Sequence, residues 1–213
     1  LRSLFGLLHN LRPDKASDLI GNVAKIVGPF LGTSKVAERN LRLALPHLGS
    51  DARRQIIRQT WANLGRIVGE LPHMHDLKRT DDGPGWEIIG EENLLNKQAI
   101  FFSAHCSNWE MILPIASQLG LSIAGAYRRA SNPAIENVIQ EVRGAAHGAH
   151  CKMFAKGAAG ARSAITHLKQ GGSLGLLVDQ KMNDGIGVPF FGHMAMTVTA
   201  PAQLALRFDL PLI

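Results

Sequence analysis

Tyrosine occurs once and cysteine twice in these 213 residues. No apolar run approaches the roughly 18 residues that a membrane-spanning helix needs. Two cysteines, Cys106 and Cys151, are too few for a disulfide framework. They fit a reducing compartment, with a single bridge left open. The sparse aromatics (6%) and the scattered basic residues provide no aromatic-interleaved basic patch of the kind that holds nucleic acid. His147, His150 and Cys151 lack the spacing of a zinc site, and so do His73 and His75. The glycines at 157 and 160 precede a helical stretch without the lysine of a phosphate-binding loop. A secretory leader pattern is missing from the observed start.

What is present is a globular composition, 46% hydrophobic and 19% charged, with a formal net charge of +6. That charge favours acidic partners such as anionic lipid headgroups or an acidic carrier protein. The chain starts at Leu1 without a methionine and breaks off at Pro211-Leu212-Ile213, which reads as the opening of another buried strand. The sequence is therefore expected to be a fragment, cut at the C-terminus or at both ends.

Two rhythms divide it. Residues 1–76 repeat their apolar positions at helical spacing: Ile20, Val23, Val27, Phe30 and Leu31, then Ile56, Ile57, Trp61, Leu64 and Val68. Ser50 or Asp51 is placed to cap the second set, and Pro72 to follow its end. The opening leucines alternate with Arg2, His9 and Arg12, a pattern that suits either a membrane surface or a packed helix. A polar loop centred on Asp81-Asp82-Gly83-Pro84-Gly85 marks a boundary. From residue 77 to 213, short apolar runs at 86–89, 99–104, 121–127, 151–155 and 173–178 alternate with helical stretches at 108–119, 132–145 and 158–170. This predicts an α/β fold, a mostly parallel sheet flanked by helices, after an N-terminal helical, membrane-associating region.

In such sheets chemistry gathers beyond the carboxyl ends of the strands. Three polar clusters fall there: residues 105–110, 127–129 and 179–181. In the first, a histidine in a strand-to-helix turn precedes a carboxylate in the first helical turn. Glu110 can return to one nitrogen of His105, fix its tautomer, and leave the other nitrogen to take a proton from a hydroxyl. Backbone N–H groups at 107–110 can bind a phosphate or an oxyanion. The same residues also read as a strand-end histidine and a carboxylate that complements the helix dipole. Arg128 is placed to pair with phosphate or oxyanion charge, with Arg129 the weaker candidate. Asp179 with Gln180 can hold Arg128, contact a substrate sugar, or cap the loop. Cys106 beside His105 raises a thiol nucleophile, but adjacent residues after a strand tend to point apart.

His105-Cys106-Ser107-Asn108-Trp109-Glu110 resembles the H-x-x-x-x-[DE] motif of glycerolipid acyltransferases, in the Asn-Trp-Glu form of the lipid A biosynthesis lauroyl and myristoyl acyltransferases. Four more blocks follow that family in order: Asn63-Leu64-Gly65-Arg66 with Glu70; Tyr127-Arg128 with Asn132-Pro133; Val178-Asp179-Gln180; and Gly187-Val188-Pro189-Phe190-Phe191-Gly192 with Ala195-Met196-Thr197. The resemblance implies transfer of a fatty acyl chain from a thioester, usually on acyl carrier protein, to a hydroxyl of a lipid A precursor. It places that reaction at the cytoplasmic face of the bacterial inner membrane, without metal or bound cofactor. Acyl-CoA is the alternative donor, a phosphoglycolipid or lysophospholipid the alternative acceptor, and a non-catalytic lipid-binding relative the alternative function. His105 and Glu110 become base and partner. Asn108, Trp109, Tyr127, Arg128, Asp179 and Gln180 become substrate contacts. Phe190, Phe191 and Gly192 are expected to shape the site as an apolar wall, and Thr197 to cap the next helix.

Overall fold

The computed structural model describes residues 2–94, 98–148 and 150–213. Leu1, where the expected helical region opens, lies outside the described residues. The chain forms two compact units: Arg2–His73 with Gly187–Ala195, and Met74–Ile186 with Met196–Ile213.

The first unit carries four helices, α1 (Arg2–His9), α2 (Pro13–Val27), α3 (Thr33–Ala44) and α4 (Ser50–Glu70). Gly49 rather than Ser50 or Asp51 is the N-cap of α4. Helices α2 and α4 cross through small residues. A Cβ on Gly65 would lie 2.5 Å from the Ile20 carbonyl oxygen, and one on Gly69 would lie 2.4 Å from that of Ala16. Ser17 donates to the Glu70 carboxylate at 2.6 Å beside this crossing, and Arg66 pairs with Asp18 at 3.2 Å. The buried positions of α2 are Ala16, Ser17 and Gly21. The larger apolar residues point away: Val23, Ile26 and Val27 are exposed, and Phe30 just beyond is 86% exposed. The helical period was legible, but its large apolar stripe is the outer face.

The second unit is built on a parallel sheet in the order β1-β4-β2-β3, from β1 (Ile100–Ser103), β2 (Ile123–Tyr127), β3 (Lys152–Ala155) and β4 (Ser173–Leu177). Parallel neighbours need crossover connections. These are α5 (Ile112–Gln118), α6 (Pro133–His147) and α7 (Ala158–Lys169). Asn132 starts α6 by accepting the N–H of Ala134 at 2.9 Å, with Pro133 at the first helical position. Residues 211–213 pair in parallel with β1: the Ile100 N–H donates to the Pro211 carbonyl at 2.9 Å.

One sheet face packs Ile100, Ala124 and Leu174 against Leu168 of α7 and Ala205 of α8 (Ala200–Phe208). The other packs Phe101, Ile123 and Met153 against Leu113 and Ala116 of α5. Two expectations fail. Residues 86–89 form no strand, because the Trp86 N–H and carbonyl pair with Lys78 and Thr80 in a local loop and Ile89 is 93% exposed. Thr197 does not cap a helix. It ends β6 (His193–Thr197), which pairs with β5 (Ile186–Phe190) in a hairpin, and Thr199 stands at the N-cap position of α8 without a side-chain capping bond.

Candidate functional site

β1 and β4 are neighbours in register, with Ser103 opposite Leu177. Two residues further on, the same register brings His105 beside Asp179. Asp179 Oδ1 lies 2.8 Å from His105 Nδ1, and its Oδ2 accepts the His105 backbone N–H at 2.9 Å. Partial burial would push the Asp179 carboxyl up. Its hydrogen bonds from the His105 ring and backbone outweigh that and hold it below the ordinary value. An ionised Asp179 accepts from Nδ1–H, so Nε2 carries the lone pair. The Gln180 amide nitrogen sits 3.5 Å from Nε2.

Glu110 is not the carboxylate on the imidazole. It lies in a single 3₁₀ turn, Trp109–Met111, and Arg143 of α6 holds it with two bonds: Nε to Oε2 at 2.9 Å and Nη2 to Oε1 at 2.7 Å. Both side chains are about 15% exposed or less. The planar guanidinium fork matches the carboxylate and draws it toward α6, while the Asp179 carboxylate fills the place at His105 Nδ1. The Trp109 indole N–H also donates to Glu110, at 3.2 Å, and its ring meets the His105 ring edge-on at 4.9 Å. The expected backbone donors shrink too, since the Glu110 N–H is taken by the Asn108 side chain at 3.2 Å. Asn108 therefore acts here as the cap of the turn.

These groups line a cavity of about 410 Å³ on the α5 face of the sheet. Such volumes suit small-molecule ligands. Its floor is a row in register across all four strands, Phe101, Gly175, Gly125 and Met153. Ser103, Leu177 and Tyr127 lie two residues nearer the carboxyl ends. Ile112 and Leu113 of α5 form one wall, Arg143 and His147 of α6 another. The two glycines leave the middle of the floor without side chains. His105, Arg128, Lys156 and Gln180 stand where the strands end.

Of the residues singled out in the sequence, His105, Trp109, Glu110, Tyr127, Arg128 and Gln180 line this one cavity, and Asp179 joins it through His105. Phe190, Phe191 and Gly192 are not among its lining residues. They form the exposed turn of the β5–β6 hairpin, where Phe191 (φ 46°) and Gly192 (φ 74°) both take the left-handed conformation of a tight hairpin. Cys106 is exposed and free, whereas burial raises the Cys151 thiol, which points at the Leu113 carbonyl.

Sequence reading missed Arg143 and Lys156, and treated His147 only as a metal candidate. A signal existed. Glu136, Gln140, Arg143 and His147 recur at four, three and four residues, a polar stripe along one face of α6. Glu136 accepts the Ala130 N–H at 2.8 Å and the Gln140 amide at 3.0 Å, and the Arg143 guanidinium lies 5.6 Å from the centre of the Tyr127 ring.

The parallel sheet thus carries an acid-backed histidine at the mouth of a cavity lined by both apolar and polar side chains. The family model for bacterial lipid A biosynthesis acyltransferases matches residues 4–213, and the chain belongs to that family. The family performs acyl transfer in lipid A synthesis. No curated protein matches the chain.

Proposed function

We propose that this protein transfers a fatty acyl chain from the thioester of acyl carrier protein to a hydroxyl of a lipid A precursor, with His105 as general base. The observation that carries this reading is the doubly held His105, its Nε2 facing the cavity mouth while Asp179 occupies Nδ1. Nε2 takes the proton of the acceptor hydroxyl as that oxygen attacks the thioester carbonyl. The C–S bond breaks, and the leaving thiolate takes the proton from the imidazolium. Asp179 stabilises the imidazolium between these events. Arg128 at the mouth stabilises the oxyanion. Glu110 is a positioning residue that fixes Arg143 and Trp109 behind the base. Acyl-CoA in place of acyl carrier protein leaves this chemistry unchanged.

The setting we propose is the cytoplasmic face of the inner membrane. No helix among the described residues is long and apolar enough to cross a membrane. The outer face of α2 and the residues after it expose Leu19, Val23, Ile26 and Phe30 in line, beside Lys15 and Lys25. An apolar stripe flanked by lysines suits a helix lying in an anionic interface.

The test is transfer of radiolabelled acyl chains to a lipid A precursor, with carrier-protein and CoA thioesters compared in parallel. His105→Ala should abolish transfer while vesicle binding persists. Undiminished transfer by that variant, or no transfer by the wild type from either donor, overturns the reading.

A further inference from the structure

The chemistry at the cavity mouth leaves one buried polar group at its inner end without a task. His147 is 6% exposed and lines the cavity, and among the described residues its ring has no hydrogen-bond partner. The ring opens onto the cavity, where the polar atom of a bound molecule can meet its nitrogens.

Its position is set by the fold. α6 starts after the carboxyl end of β2 and must run back along the sheet to reach the amino end of β3. His147, its last residue, lies one turn beyond Arg143, about 6 Å further from the mouth. Near that depth the floor is Gly125 and Met153, and Leu113 stands in the wall. The Arg143 charge is already matched by Glu110. The inner cavity therefore offers an apolar trough with a single imidazole.

We propose that the cavity holds an acyl chain bearing one hydroxyl, and that His147 recognises that oxygen. This rests on the acyl-transferase reading of the same cavity and adds the substrate class. A neutral imidazole has one donor nitrogen and one acceptor nitrogen, and a hydroxyl answers either. Burial first, with the neighbouring Arg143 charge, lowers the His147 pKa to about 4, so the ring is neutral in the physiological range. A carboxylate or phosphate at this depth would find no unmatched cation. A plain hydrocarbon chain would displace water from the ring and give nothing back.

The experiment uses free fatty acids, which lack any carrier arm, so a preference among them belongs to the chain. A saturated acid and its mono-hydroxylated isomers of the same length compete with a fluorescent fatty acid for the 213-residue protein. One hydroxylated isomer should bind about tenfold more tightly than the plain acid, the scale of one well-made hydrogen bond. In His147→Leu that preference should fall to within about twofold, with the plain acid bound at least as well as by wild type. His147→Gln, which keeps a donor and an acceptor, should retain most of it. Equal binding of all isomers by wild type overturns the proposal, as does a preference that survives in His147→Leu. If no fatty acid competes, the cavity is not a chain site and the proposal falls, while transfer from thioester donors is judged separately. Transfer that proceeds without a hydroxyl preference sinks the His147 assignment alone.

Discussion

Asp179 grips His105 at two points, the ring Nδ1 at 2.8 Å and the backbone N–H at 2.9 Å. One carboxylate thus fixes both the tautomer of the imidazole and the loop that carries it. Asp179→Asn should keep the loop bond but permit the wrong tautomer, lowering kcat by about 10²- to 10⁴-fold with little change in KM. Glu110→Gln leaves Nδ1 paired and should cost markedly less than Asp179→Asn. Steady-state kinetics on the two variants decide the matter: a larger loss for Glu110→Gln would return the orienting role to Glu110.

The Arg143–Glu110 pair is bidentate and mostly buried. Removing one partner strands the other charge. Arg143→Met should therefore destabilise the fold by on the order of 2–3 kcal/mol. The double variant Arg143→Met/Glu110→Gln should recover part of that loss, because no uncompensated carboxylate remains. Urea unfolding of the two singles and the double closes the cycle. Additive losses would show that the pair is not coupled.

The strands of the site were legible because each is a short apolar run bounded by turn residues, and three of the helices followed from the chain having to cross over. The residues 86–89 carry the same apolar signal, yet their backbone pairs locally and no strand forms. The partner of His105 was not legible. Glu110 is five residues away in sequence and Asp179 seventy-four, and only the β1–β4 register shows which one arrives. Which face of α2 points outward was not legible for a related reason. Apolar periodicity shows that a helix has two faces, but close helix crossings select the face with small side chains.

Gly65 makes that crossing possible. A Cβ there would sit 2.5 Å from the Ile20 oxygen and 2.6 Å from the Ala24 Cβ. Gly65→Leu should force α2 and α4 apart and cost at least about 1–3 kcal/mol. Gly6 in α1 faces open space, so Gly6→Ala should instead stabilise by about 0.5–1 kcal/mol. Thermal unfolding of both variants tests the contrast, and equal melting temperatures would contradict it.

The outward stripe of α2 leads to a membrane prediction. Ile26 is 68% exposed and Phe30 86%. Burial of each in an interface contributes up to about 1.5–3 kcal/mol. Ile26→Ser/Phe30→Ser should weaken binding to vesicles containing anionic lipid by tenfold or more, without changing the salt sensitivity contributed by Lys15 and Lys25. Cosedimentation at two ionic strengths measures both effects. Unchanged partitioning of the double variant would remove α2 from the membrane-facing surface.

His147 predicts how stability depends on pH. Its ring titrates near 4 in the folded protein against an ordinary value of 6.5. Above 6.5 neither state carries the proton and the group contributes no slope. Between about 6.5 and 4 the unfolded chain takes up a proton that the folded chain refuses, so stability falls as pH falls, by at most about 1.4 kcal/mol per pH unit. Below about 4 both states are protonated and the slope from this group ends. Asp179 acts in a different window, because its lowered pKa contributes stability that is lost only as pH drops below the ordinary carboxylate value of 3.8. His147→Gln removes the upper effect and leaves the lower one. Urea midpoints measured from pH 7.5 down to 4.5 should therefore show wild type losing more stability than His147→Gln across that interval. Parallel curves for the two proteins would mean that His147 accepts its proton as readily folded as unfolded, and that its ring is open to water rather than sealed in the inner cavity.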